Sequence, residues 1–268
     1  MRVAAASRIP DLAPLLLLGL AAAIRPARLP VLAILVVGFV VLRRREERMP
    51  WAGAIPVAVS LAWGLVPLPP GATDGTTCAS PTAPFATFRL VEAALALGAL
   101  AGLVRLTESG AGELGLRRPT RRIGGVAIAT FAICGPLGLL LGPLLAVPFF
   151  GPIGLDLDGP AALLPATIFA VSNGVMEEII YRGGLQAWTA RRTGVPLAIA
   201  GQAIVFGLAH AAGPDVGGAP LVLWAAMTAG GVAAGLIVWR TGSLAIPIAA
   251  HVGFDLPLYY GNACRAPM

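Results

Sequence analysis

Long apolar runs, broken by short joints that carry arginine or Gly and Pro, dominate the hydropathy pattern of this chain. Met49 to Thr73, Ile123 to Leu155, Gly159 to Met176, Thr193 to Pro214 and Val216 to Trp239 hold no Asp, Glu, Lys or Arg. Each is close to or beyond the roughly 20 apolar residues that a helix needs to cross a bilayer. Shorter runs at Leu12 to Ile24, Pro30 to Leu42, Phe85 to Leu106 and Leu244 to Tyr260 bring the expected total to eight or nine membrane segments. The first two are short for full spans and read as a shallow hairpin. No strand-like alternation occurs, and helices are the remaining way to satisfy a backbone inside lipid. The fold class expected is therefore all-α, a polytopic transmembrane helix bundle.

Composition removes the soluble alternative. Hydrophobic residues make up 57% of the 268 positions and charged residues 12%, about half the share of an ordinary soluble domain. The 34 Gly and 24 Pro lie in apolar surroundings with no collagen period, so they belong to packed helices and their joints.

All 19 basic residues are arginine. With the N-terminus inside, 15 of them fall on the cytoplasmic side, 3 outside (Arg25, Arg28, Arg265), and Arg89 falls within a span. That asymmetry predicts a cytoplasmic N-terminus and an outward C-terminus. It also accounts for the net charge of +6 without a nucleic-acid partner, because the arginines flank membrane segments instead of forming one patch. Arg2 and Arg8 ahead of an apolar run give the N-terminus the look of a signal peptide, but in a chain with many further spans an uncleaved first helix is the simpler reading. The chain reads as one integral membrane domain: peripheral helices over residues 1–112 and a core carrying the chemistry over residues 113–268. Cys134 lies within a span, whereas Cys78 and Cys264 both fall outside the cytoplasm and are placed to pair there.

Ionisable side chains inside a bilayer are costly enough to demand a partner or a purpose. Glu177, Glu178 and Arg182 form E-E-x-x-x-R at the end of one apolar run. Phe206 and His210 form F-x-x-x-H in the next, and His251 and Asp255 form H-x-x-x-D in the last. Residues four apart share a helix face, so Glu178 is expected to pair with Arg182 and His251 with Asp255. Glu177, turned about 100° from Glu178, is left free for chemistry. A hairpin bent at Gly194 sets Glu177 and His210 at one depth, since they precede and follow it by 17 and 16 positions. Arg89 and Glu92, three apart, read as a self-neutralising structural pair, and Gly231 with Gly235 as a G-x-x-x-G packing contact.

These three motifs, in this order on successive helices, resemble those of the CAAX prenyl endopeptidase-like (CPBP) intramembrane protease family. The segments Glu113-Leu114-Gly115-Leu116-Arg117-Arg118 and Arg240-Thr241-Gly242-Ser243-Leu244 resemble that family too, so the likeness runs over residues 113 to 256. It implies an endopeptidase, with a peptide or protein substrate at the membrane and the lipid bilayer as partners. Eukaryotic members remove the terminal tripeptide of prenylated CAAX proteins, and bacterial-type members process other peptides or confer self-immunity. The arginine-only, alanine-rich composition points to a bacterial plasma membrane.

The residues suggest a mechanism beside the resemblance. Peptide hydrolysis needs an activated water, a group facing the oxyanion and a proton for the leaving amine. Glu177 is the candidate base and His210 its partner in orienting the water or sharing its proton. His251 is the candidate oxyanion group, with Asp255 fixing its tautomer. Glu178, Arg182 and Phe206 support them. Ser172, Ser243 and Cys134 have no histidine near in sequence. Two cofactor readings stay open: none, or one zinc ion held by His210, His251 and Glu177. A non-catalytic class also stays open, in which a scaffold, immunity protein or proton-coupled transporter uses the same buried polar groups.

Overall fold

The computed structural model describes residues 9–72, 82–150, 160–211 and 220–261. Cys78 and Cys264, whose pairing the sequence suggested, lie outside these residues. The described chain is helical, with no strand in it. Helix α1 (Ile9–Ala23) turns through the short 3₁₀ segment Arg25–Ala27 into α2 (Arg28–Val41), which gives the expected hairpin. Then follow α3 (Arg45–Trp63), α4 (Ala83–Leu106), α5 (Arg121–Phe150), α6 (Pro160–Glu177), α7 (Ala187–Thr193), α8 (Val195–Ala211), α9 (Pro220–Thr241) and α10 (Ala245–Gly261). Residues Glu178–Gln186 join α6 to α7 without a break, as a π-helical stretch.

Among the described residues four helices are long and apolar enough to cross a membrane: Ala83–Leu106, Arg121–Leu141, Leu163–Thr193 and Pro220–Thr241. All four coincide with segments expected from the sequence. Asp11–Ala23 and Val195–Ala211 are apolar but shorter; the 17 residues of α8 rise about 25 Å against a hydrocarbon core of about 30 Å. The run from Met49 to Thr73 is not one long helix, because α3 opens on Arg45, Glu46, Glu47 and Arg48 and ends at Trp63.

Burial separates the centre of the bundle from its lipid-facing rim. In the continuous Leu163–Thr193 helix 56% of the most apolar window is buried, against 6% in α5 and 11% in α9. Leu140, Ile128, Leu221 and Val40 project outward from the rim helices, and apolar surface on this scale belongs in lipid. The chain is an integral membrane protein.

Small residues set the helix approaches. Gly135 and Gly138 of α5 face the backbone of α10 around Gly253 and Phe254, where a Cβ on Gly138 would collide with the Phe254 carbonyl. Gly231 of α9 meets Ala203 of α8, with 3.0 Å to the Ala203 Cα for any added Cβ. Gly235 leaves the space in which Gln186 donates to the Gly235 carbonyl at 3.0 Å, and Gln202 donates to that of Gly231 at 2.8 Å. The G-x-x-x-G is thus a packing contact between α8 and α9, as its spacing indicated.

Ion pairs fasten the early helices to the later ones. Arg192 of α7 reaches Asp11 of α1 at 3.0 Å, and Glu113 bridges Arg191 of α7 at 2.5 Å and Arg45 of α3 at 3.7 Å. Glu113 lies in the 3₁₀ turn Ala111–Leu114, which ends at Gly115 with φ +72°. The Gly115 carbonyl accepts from Leu244 N at 3.1 Å. This turn also rests on Gly183, where a Cβ would come within 2.9 Å of the Leu114 carbonyl. The segments before α5 and before α10 therefore meet against the π-helical stretch.

Candidate active site

Two left-handed glycines place the site helices. Gly194, at φ +83°, stops α7 and turns the chain into α8, and Gly242, at φ +63°, stops α9 ahead of α10. The Ser243 hydroxyl accepts from Ala245 N at 3.2 Å at the start of α10. With those bends, residues from α6, α8 and α10 meet, as the depth count required. Helix α4 joins them from the other side. It is started by Thr82, whose hydroxyl accepts from Phe85 N at 3.3 Å.

Glu177 is buried at the junction where the α-helical turn of α6 gives way to the wider π turn, a backbone feature frequent at functional sites. Its two oxygens have different surroundings. Oε1 accepts from Arg89 Nη2 at 2.6 Å. Oε2 has no hydrogen-bond partner among the described residues, and it faces His210 Nε2 at 3.9 Å and His251 Nε2 at 3.8 Å. Those gaps are too long for direct hydrogen bonds.

Both imidazoles are oriented from behind. His210 Nδ1 lies 2.8 Å from the Phe206 carbonyl, which can only accept, so Nδ1 carries the proton and a neutral ring presents a lone pair on Nε2. His251 Nδ1 lies 2.9 Å from Glu178 Oε1, and by the same reasoning Nδ1 donates. The adjacent glutamates therefore address opposite nitrogens of one ring. Asp255 Oδ2 is 3.5 Å from His251 Nε2 and accepts a shorter bond, 2.9 Å, from Asn173 Nδ2. The tautomer of His251 is set by Glu178, where the spacing had assigned that task to Asp255. Helical spacing sees only partners on the same helix, and α6 supplies a nearer one.

Glu178 also pairs with Arg182, Oε1 to Nη1 at 3.1 Å, the two side chains 3% and 1% exposed. The Arg182 guanidinium lies 4.3 Å from the Phe206 ring centroid. Phe206 in turn contacts the Tyr181 ring edge-on and the His210 ring. Phe206 thus covers a buried cation and flanks a site imidazole at once.

Two site members escaped the sequence reading, and one assignment is corrected. Arg89 is not confined to Glu92: besides Glu92 Oε2 at 2.5 Å it binds Glu177 and Asn173. Glu177 is consequently not free, since Arg89 holds one of its oxygens. Asn173 was not singled out at all; its only local signal is that it precedes Glu177 by four positions, on the same face of α6. Ser172 donates to the Phe169 carbonyl and Ser243 caps α10, so neither hydroxyl is bonded to a histidine.

The candidate zinc set fares differently from the site as a whole. Among the described residues no group of three His, Cys, Asp or Glu side chains comes together to hold a metal ion. Glu177 is already bound to a guanidinium at 2.6 Å, a cation beside the carboxylate that would have to be a metal ligand.

Residues 159–257 match a family model described as Type II CAAX prenyl endopeptidase Rce1-like. No curated protein and no solved structure matches the chain. The matched residues include Asn173, Glu177, Glu178, Arg182, Phe206, His210, His251 and Asp255, and they leave out Arg89. The helices that converge on Glu177, α6, α8 and α10, lie almost wholly within the stretch that is similar to the type II CAAX prenyl endopeptidase Rce1-like family.

Proposed function

We propose that this protein is an intramembrane endopeptidase that hydrolyses a peptide bond of a membrane-associated substrate with a water activated by Glu177. The Rce1-like family implies a peptidase of the CAAX type. The observation that carries the finer reading is the Oε2 atom of Glu177, without a hydrogen-bond partner among the described residues and turned toward two imidazole Nε2 atoms.

In this mechanism a water sits between Oε2 and His210 Nε2. Glu177 takes one of its protons as the oxygen attacks the scissile carbonyl carbon. In its doubly protonated form His251 gives Nδ1–H to Glu178 and Nε2–H to the developing oxyanion, and Asp255 lies beside the imidazolium and offsets its charge. The proton held between Glu177 and His210 then passes to the leaving amine as the C–N bond breaks. The arginine distribution supports a cytoplasmic N-terminus, and the arginine-only, alanine-rich composition a bacterial inner membrane, with residues 1–112 as a peripheral unit around the core.

The test uses the full chain in lipid nanodiscs with two internally quenched probes: a farnesylated peptide ending in a CAAX sequence, and an unmodified membrane-anchored peptide. Glu177→Gln and His210→Ala should each lower turnover by about 10²–10⁴-fold while the protein stays folded. Wild-type turnover by Glu177→Gln, or no cleavage of either probe by the unmodified chain, overturns the reading.

A further inference from the structure

Arg89 lies on α4, outside the stretch that matches the Rce1-like family. Its guanidinium is a planar fork of donors with no acceptor, and the fork is spread over three partners. Nη1 donates to Glu92 Oε2, Nη2 to Glu177 Oε1, and Nε to Asn173 Oδ1 at 2.9 Å, with a further short contact from Nη2 to Asn173. The side chain is 19% exposed. Behind it, the Ser60 hydroxyl of α3 donates to Glu92 Oε1 at 2.6 Å, so both oxygens of Glu92 are held.

A pair that served only to neutralise itself would use one edge of this fork. The other edge is spent on the site, with two geometric results. Binding Oε1 of Glu177 leaves Oε2 as the atom presented to His210 and His251. Binding Oδ1 of Asn173 decides the direction of its amide, because a guanidinium can only donate. The Nδ2 end must then point the other way, where it meets Asp255 Oδ2 at 2.9 Å and His251 Nε2 at 3.4 Å.

We propose that Arg89 is a positioning residue that sets the Glu177 carboxylate and the Asn173 amide for the reaction, so that the peripheral helices complete the site. This rests on the reading of Glu177 as the water-activating group. Without the guanidinium, Glu177 is uncovered at Oε1 and free to turn, so Oε2 is no longer held facing the two imidazoles. Lysine supplies the charge as a single point and cannot span Glu92, Asn173 and Glu177 together.

The test compares Arg89→Gln, Arg89→Lys, Glu92→Gln and the double variant Arg89→Gln/Glu92→Gln with the unmodified chain in nanodiscs. One readout is kcat and KM on the quenched peptides. The other is mass-spectrometric mapping of Glu177 after treatment with a hydrophobic carbodiimide, which reports whether that carboxyl is covered and needs no substrate. Arg89→Gln should lower kcat about 100-fold with KM held within about threefold, the signature of misplacement and not of lost substrate binding. Arg89→Lys should recover about tenfold of that loss, and Glu92→Gln alone should lose less than Arg89→Gln.

The double variant removes both charges of the Arg89–Glu92 pair and so leaves neither orphaned, yet it should remain as slow as Arg89→Gln. Labelling of Glu177 should rise in Arg89→Gln and in the double variant and fall back in Arg89→Lys. Wild-type turnover by the double variant, or unchanged Glu177 labelling in Arg89→Gln, overturns the proposal. The two levels separate cleanly. An active Glu177→Gln removes the catalytic reading itself, whereas an inactive Glu177→Gln beside a fully active Arg89→Gln removes only the role given to Arg89.

Discussion

Replacing Glu178 by Gln isolates the support of the site from its chemistry. Arg182 is 1% exposed and its carboxylate partner is 3.1 Å away. Removing one charge of such a buried pair costs about 3–5 kcal/mol, because the other stays buried and uncompensated. Glutamine keeps one acceptor oxygen for Arg182, which favours the lower end, about 3 kcal/mol. The His251 Nδ1 bond to Glu178 at 2.9 Å changes from charge-assisted to neutral, adding about 1 kcal/mol. The stacking of Arg182 on Phe206 is present in both proteins and cancels. The total of about 4 kcal/mol corresponds to a fall in Tm of about 8–16 °C for a chain of this size.

Tryptophan fluorescence during thermal unfolding in nanodiscs reads that shift, and the cycle with Arg182→Met assigns it. With both charges gone, Glu178→Gln/Arg182→Met should be more stable than Glu178→Gln by about 2 kcal/mol. A Glu178→Gln variant within about 1 °C of the unmodified protein, or a cycle additive to about 0.5 kcal/mol, refutes the reasoning.

Gly231→Ala puts a Cβ 3.0 Å from the Ala203 Cα, so it should separate α8 from α9 and cost about 1–3 kcal/mol; unchanged thermal stability would contradict that contact. Because no group of three His, Cys, Asp or Glu side chains comes together to hold a metal among the described residues, turnover of the quenched peptides should stay within about twofold after 1,10-phenanthroline treatment. A loss of activity restored by added zinc would show that a metal ion takes part.

The sequence exposed those parts of the site that short-range helical geometry controls. Glu178 with Arg182 and Phe206 with His210 are i to i+4 relations within one helix, and Gly194 and Gly242 announce their bends by residue type. The parts it hid are contacts across the fold. Arg89 has Glu92 one turn away as a sufficient local partner, and nothing local reveals that its fork also reaches Glu177, 88 positions on. His251 has Asp255 at helical spacing, yet the shorter contact comes from Glu178, 73 positions earlier. Asn173 is one polar residue in an apolar helix and gains meaning only when α4 and α10 are seen on either side of it. The π stretch at Glu178–Gln186 likewise left no periodic trace, since its nine residues are too few to show a changed repeat. Helix ends were hidden for a simpler reason: an uncharged run measures composition, and α3 ends at Trp63 although the apolar run continues toward Thr73.

The central claim is that Glu177 Oε2 and the two imidazoles hold a water. A cryo-electron microscopy map of the protein in lipid, at a resolution that shows ordered solvent, tests it most directly. The account predicts a water within about 3.2 Å of Glu177 Oε2 and of at least one of His210 Nε2 and His251 Nε2, with Arg89 on Oε1. A peak about 2.0–2.2 Å from those nitrogens and the carboxylate would be a metal ion, and it would contradict the account, as would Oε2 closed directly onto a histidine.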